Sequence, residues 1–78
     1  MTAEARIGEI VQAHEELTGR KTVVNLVRFG GGGWFAELNP ANDRNHHKAI
    51  RAEAATLETV IAGLGVAVLA LAKAEGRV

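Results

Sequence analysis

Apolar and polar positions follow two different periods along this chain. From Ala3 to Leu17, the residues Ile7, Ile10, Val11, His14 and Leu17 recur at steps of three and four. Those steps put them on one face of an amphipathic helix. Thr2 stands at the N-cap position, Glu4 suits the positive end of the helix dipole, and Gly19 stands where a helix turns off in the left-handed region. Thr22 to Phe29 is rich in Val and Leu and predicts a strand, and Trp34 to Leu38 predicts a second, shorter one. Gly30 to Gly33 lie between them and predict a hairpin with a loop of about four residues. Asn39 to Asn45 reads as a loop: Pro40 ends the strand, and Asn42, Asp43 and Asn45 offer helix N-caps.

The segment from His46 to Glu75 carries the longest pattern. His47, Ile50, Ala54, Leu57, Ile61, Leu64, Val68 and Leu71 follow alternating steps of three and four, a heptad seam that predicts one long helix. Val60 to Ala72 holds no polar residue. That run is shorter than the roughly twenty residues needed to span a bilayer, so burial within protein is expected rather than a membrane. A helix of this length would extend about 45 Å. The first helix and two strands are too short to cover it, so a second copy is expected to do so. The expected homodimer interface is Leu57, Val60, Ile61, Leu64, Ala67, Val68 and Leu71, with Gly63, Ala67, Ala70 and Ala74 allowing close approach. Two alternatives compete: a break at Gly63–Gly65, since each glycine costs about 1 kcal/mol in a helix, and a third strand at Val66–Ala72. The expected fold is α+β, one small domain over residues 1–78 in the order α-β-β-α. Both helices would pack on one face of a two-stranded antiparallel ribbon.

Charge adds a second layer. The 78 residues carry nine basic and nine acidic side chains, a formal net charge of zero, so no global field draws in nucleic acid. The distribution is uneven: Met1 to Thr18 is net −3, while Gly19 to Arg51 is net +4. The basic middle is either a solvated surface or a face for an anionic partner. The absence of cysteine removes disulfides and thiolate metal sites, and with no charged-then-apolar leader it suggests the cytoplasm.

The chemistry-bearing motifs fall short of known sites. The glycine run is not a P-loop, because GxxxxGK[ST] requires a lysine and a hydroxyl entering a helix, and GxGxxG fails where Phe35 replaces the third glycine. "HEELT" at His14 to Thr18 lacks the second histidine of HExxH, so His14 is expected to be a structural histidine on the apolar face. Asp43, His46 and His47 lack a third strong ligand at useful spacing, so no metal and no cofactor is expected. With no serine, cysteine or tyrosine, the available acid–base pairs are His14 with Glu15 or Glu37, and His47 with Asp43. Nothing in their spacing builds a cleft, and an enzyme is not expected.

The stretch "HHKAIRAEAA", His46 to Ala55, resembles the basic, alanine-rich start of the last helix in double-stranded RNA-binding domains. That resemblance covers about ten residues and implies a helix, strands and a helix in that order. The family pattern has three strands and a lysine pair at that helix start, where this sequence offers two predicted strands and two histidines. Nucleic-acid binding is therefore the alternative function. The leading expectation is a non-enzymatic protein-interaction module, a homodimeric adaptor or inhibitor. By analogy of size and composition, it could be a phage-type inhibitor of host machinery such as an anti-CRISPR protein. The expected outward contacts are Arg28, Trp34, Phe35, Arg44, Lys48 and Arg51.

Overall fold

A computed structural model describes residues 2–42 and 48–76. The elements run α1 (Ala3–Thr18), β1 (Thr22–Arg28), β2 (Trp34–Pro40), β3 (Ile50–Ala54) and α2 (Leu57–Ala74). The α+β class holds, but the sheet has three antiparallel strands in the order β1-β2-β3 instead of a two-stranded hairpin. The third strand comes from the front of the expected long helix. Ile50, Ala52 and Ala54 alternate with Arg51 and Glu53, which is the period of a strand. The heptad seam therefore exists as a helix face only from Leu57 to Leu71, where Leu57, Ile61, Leu64, Val68 and Leu71 line the core side of α2. His47 itself lies outside the described residues, and Ile50 and Ala54 belong to β3. Val66–Ala72 is helical, and α2 runs through Gly63 and Gly65 without a break.

Local signals set most of the boundaries. The Thr2 hydroxyl accepts the Ala5 N–H at 3.1 Å, and Gly19, at φ 71°, closes α1 by donating to the Glu15 carbonyl. Thr56 caps α2 by accepting the Thr59 N–H at 3.1 Å. At the hairpin the Phe29 N–H donates to the Gly33 carbonyl at 3.1 Å, and Gly32 and Gly33 sit near φ 100°, a region that favours glycine. Asn42, at φ 60°, ends the stretch after β2 in a conformation that asparagine tolerates.

Register fixes which side chains share a face. Thr22, Val24, Leu26 and Arg28 of β1 stand opposite Pro40, Leu38, Ala36 and Trp34 of β2; Leu38 and Ala36 stand opposite Ile50 and Ala52 of β3. This face carries the helices. Its core joins Ala36, Leu38 and Ile50 to Leu17 of α1 and to Val60, Ile61, Leu64, Val68 and Ala72 of α2. The core apolar side chains of α2 contribute on the order of 1.5–3 kcal/mol each when fully buried. The helix has eighteen residues at a mean hydropathy of 1.8, which by length and composition alone suffices to cross a membrane; one face of it is this core.

The two α2 glycines mark contacts rather than a break. A Cβ at Gly63 would stand 3.0 Å from the Ala52 Cβ of β3, and one at Gly65 would meet the Ile10 side chain of α1 at 3.8 Å. Gly63 thus supplies the close approach expected of it, but toward this chain's own third strand. Replacing Gly63 with Leu should destabilise the fold by about 1–3 kcal/mol through overpacking. Gly8 is exposed within α1, with open space where a Cβ would go. Gly8→Ala should therefore stabilise by about 0.5–1 kcal/mol. Urea unfolding followed by far-UV circular dichroism reads both signs.

Candidate functional site

The helical layer is narrower than the sheet. α2 lies over β3 and β2 and makes no contact with β1, while α1 reaches β1 through its C-terminal turn. At that turn His14, fully buried, joins three parts of the chain: Nδ1 is 2.6 Å from the Thr22 hydroxyl and Nε2 is 2.6 Å from the Lys48 carbonyl. A carbonyl only accepts, so Nε2 carries a proton; a ring protonated there alone accepts from Thr22 at Nδ1. His14 is therefore structural, as its place on the apolar face predicts, and neither nitrogen is turned toward Glu15 or Glu37. Glu15 instead accepts the Thr22 N–H at 3.0 Å through Oε2.

Beyond Thr22 the strand is bare. Seven large hydrophobic side chains are exposed among the described residues, and five of them, Val23, Val24, Leu26, Val27 and Phe29, fall on β1 or directly after it. This density separates β1 from the rest of the described surface, where only Val66 and Leu69 of α2 join the set. Val24 and Leu26 point to the helix side yet are 41% and 42% exposed, because neither helix extends over them. The opposite, open face carries Val23, Asn25 and Val27 beside Phe35, Glu37 and Asn39 of β2 and Arg51 and Glu53 of β3. There Arg51 lies 3.7 Å from Glu37, whose other oxygen accepts from the Asn39 amide at 2.7 Å.

The expected contact residues divide between these faces. Phe35 and Arg51 lie on the open face; Phe35 is half-buried among its neighbours and Arg51 is largely exposed. Trp34 turns the other way and packs half-buried against the core, with the Arg28 guanidinium 5.8 Å from its ring centroid. Lys48 is half-buried and engaged within the chain. Its Nζ lies 2.8 Å from the Glu75 carboxylate and 3.4 Å from the Leu17 carbonyl, tying the C-terminal ends of both helices. Arg44, Asp43, His46 and His47 lie outside the described residues, and among the described residues no cluster of His, Asp or Glu could hold a metal.

The expected dimer face on α2 is occupied within one chain. Val60, Ile61, Leu64 and Val68 are buried in the core, and Leu57, Ala67 and Leu71 are half-buried around it. The sheet of the same chain covers this face of α2, while Val66 and Leu69 on the other side of the helix stay exposed. The larger group of exposed apolar side chains lies on β1, and Val23, Val24, Leu26 and Val27, which put apolar groups on both faces of one strand instead of alternating, are the sequence signal for it.

A depression of about 590 Å³ at the hairpin end is lined by Phe29, Gly31, Gly32, Gly33, Trp34, Glu53, Ala54 and Ala55. Glu53 is its one ionisable lining group among the described residues, so it holds no acid–base pair there.

Comparison with protein-family models finds no match, and comparisons with curated proteins and with solved structures find none either. Of the polar ties that hold the fold, His14 is the most buried. His14→Ala strands the Thr22 hydroxyl and the Lys48 carbonyl and should cost about 2–4 kcal/mol. Lys48→Ala breaks a partly exposed ion pair and should cost no more than about 1 kcal/mol. Thermal or urea unfolding of the two variants checks that order.

Proposed function

We propose that this chain is a non-enzymatic protein-interaction module, a homodimeric adaptor or inhibitor that presents the open face of its sheet to a protein partner. One observation carries the reading: five of the seven exposed large hydrophobic side chains among the described residues lie on β1 or directly after it, beside the open face that holds Phe35 and Arg51. Patches of this kind, bounded by polar groups, mark interaction sites on small proteins. Here the boundary is the Arg51–Glu37–Asn39 cluster, which offers charge and hydrogen bonds beside the Phe35 ring. Aromatic and arginine side chains of this kind are the usual anchors of an interface. The buried and fully engaged His14 adds support, since it removes one of the few general bases available to an enzyme.

Nucleic-acid binding is the second reading, and the element order favours it. The α-β-β-β-α order now includes the third strand of the double-stranded RNA-binding pattern. Within the stretch that resembles that family's basic helix start, Ile50 to Ala54 form β3 instead, while the first turn of α2 carries Glu58. A shared architecture does not by itself carry a function.

The test is affinity capture from the native cell with wild-type bait and with Phe35→Ala and Arg51→Glu baits, all folded by circular dichroism. The proposal expects a specific protein with wild type and a roughly tenfold loss of it with each variant. Equal capture by all three baits contradicts the assigned face. Salt-sensitive retardation of duplex RNA instead supports the second reading.

A further inference from the structure

The outer edge of β1 exposes backbone groups in a regular pattern. In the β1–β2 ladder Phe29 donates to Gly33, and the Lys21 carbonyl accepts from Ala41 at 2.7 Å. Odd-numbered residues of β1 therefore bond to β2, and the even-numbered ones turn their N–H and C=O groups away from it. Of those outward groups, the Thr22 N–H is taken by Glu15. Val24, Leu26 and Arg28 remain as a short run of donors and acceptors flanked by apolar side chains on both faces. Such an edge is a template for another strand.

We propose that a second copy of this chain occupies the edge, its β1 antiparallel to the first with Asn25 on the two-fold axis, so that two three-stranded sheets join into one of six strands. This rests on the interaction-module reading and specifies its dimer. The edge is self-complementary. In this register Val24 faces Leu26 of the other copy on the helix side, and Val23 faces Val27 on the open side. Each Val24–Leu26 pairing joins outward N–H groups to outward C=O groups. The two Asn25 amides meet on the axis. Arg28 of one copy comes beside Thr22 of the other, whose edge-directed N–H is held by the Glu15 carboxylate. Charges of opposite sign thus meet at both ends of the joint.

The neighbouring registers lose this match. Centring on Val24 sets Arg28 against Arg20, Leu26 against Thr22 and Val23 against Asn25. Centring on Leu26 sets Arg28 against Val24 and Asn25 against Val27. A two-fold interface also puts the same patch on both subunits, as strand pairing here requires. The helices leave room for it. α1 engages β1 at the Thr22 end, so the α1 of the second copy arrives at the opposite end of the joint, over the other Thr22.

The chain has no cysteine, so one introduced thiol reports the register. Residues on the axis of a non-hydrogen-bonded antiparallel pair have Cα atoms about 4.5 Å apart, within the range a disulfide spans. The full chain carrying Asn25→Cys should sediment as a dimer when reduced and convert nearly completely to a covalent dimer under mild oxidation. Val23→Cys and Val27→Cys should each fail to cross-link alone, yet form a covalent heterodimer when mixed. Leu26→Lys should sediment as a folded monomer, while Phe35→Ala and Arg51→Glu remain dimeric.

Wild-type chain that sediments as a monomer across its soluble range overturns the proposal. A dimer of the Asn25→Cys chain that does not cross-link on oxidation also overturns it. If wild type is monomeric but still captures a partner through Phe35 and Arg51, this inference fails and the interaction-module reading stands. If the dimer forms as described and capture ignores those residues, the partner face is misassigned and the joint stands.

Discussion

The rest of the structure depends on a mismatch in width between two layers. Three strands lie side by side, and two helices must cover one face of them. α2 is drawn close to β3 because Gly63 carries no Cβ to hold it off Ala52. α1 is pinned at the first residue of β1 because His14 bridges Thr22 to the Lys48 carbonyl. With both helices so placed, the core fills between α2, β2 and β3, and most of β1 has nothing above it. An apolar edge strand is a liability that proteins commonly blunt with charge, bulges or a covering element. Here Glu15 blunts only the Thr22 end of the edge.

Much of the architecture was legible in the residues. The period of α1, its caps at Thr2 and Gly19, the strand rich in Val and Leu and the glycine hairpin all specify their elements locally, and the structure agrees with each. The third strand was hidden for a definite reason. Ile50 and Ala54 are four residues apart, and a step of four lies on one face of a helix and on one face of a strand alike. Alanine and glutamate in this stretch favour helix, so only pairing with β2 makes it a strand. Thr56 followed by Thr59 was the available sign that the helix begins later.

That reassignment moves the uncovered apolar surface to another place. A thirty-residue helix would have lacked cover, and a second copy was the expected remedy. Once five residues leave the helix for the sheet, the sheet covers one face of α2, while the helical layer meets β1 only at its Thr22 end. The functional residues sort in the same way. Alternation placed Trp34 and Phe35 on opposite faces, but only the register with β1 and β3 tells which ring joins the core and which joins the open face. Lys48 reads as a surface cation in sequence because its partners, Leu17 and Glu75, are distant along the chain. The same need for cover that motivates a dimer in the sequence therefore motivates one in the structure, at a different strand and through backbone hydrogen bonds.

The most direct measurement is amide hydrogen exchange along β1, read residue by residue by NMR at a series of protein concentrations. The account predicts that the amides of Leu26 and Arg28, which point to the edge, are protected at high concentration and lose protection on dilution. Those of Asn25 and Val27, bonded to β2, should keep theirs. If the edge amides exchange at the rate of unprotected backbone at every concentration, the edge stays open and the joint between copies does not form.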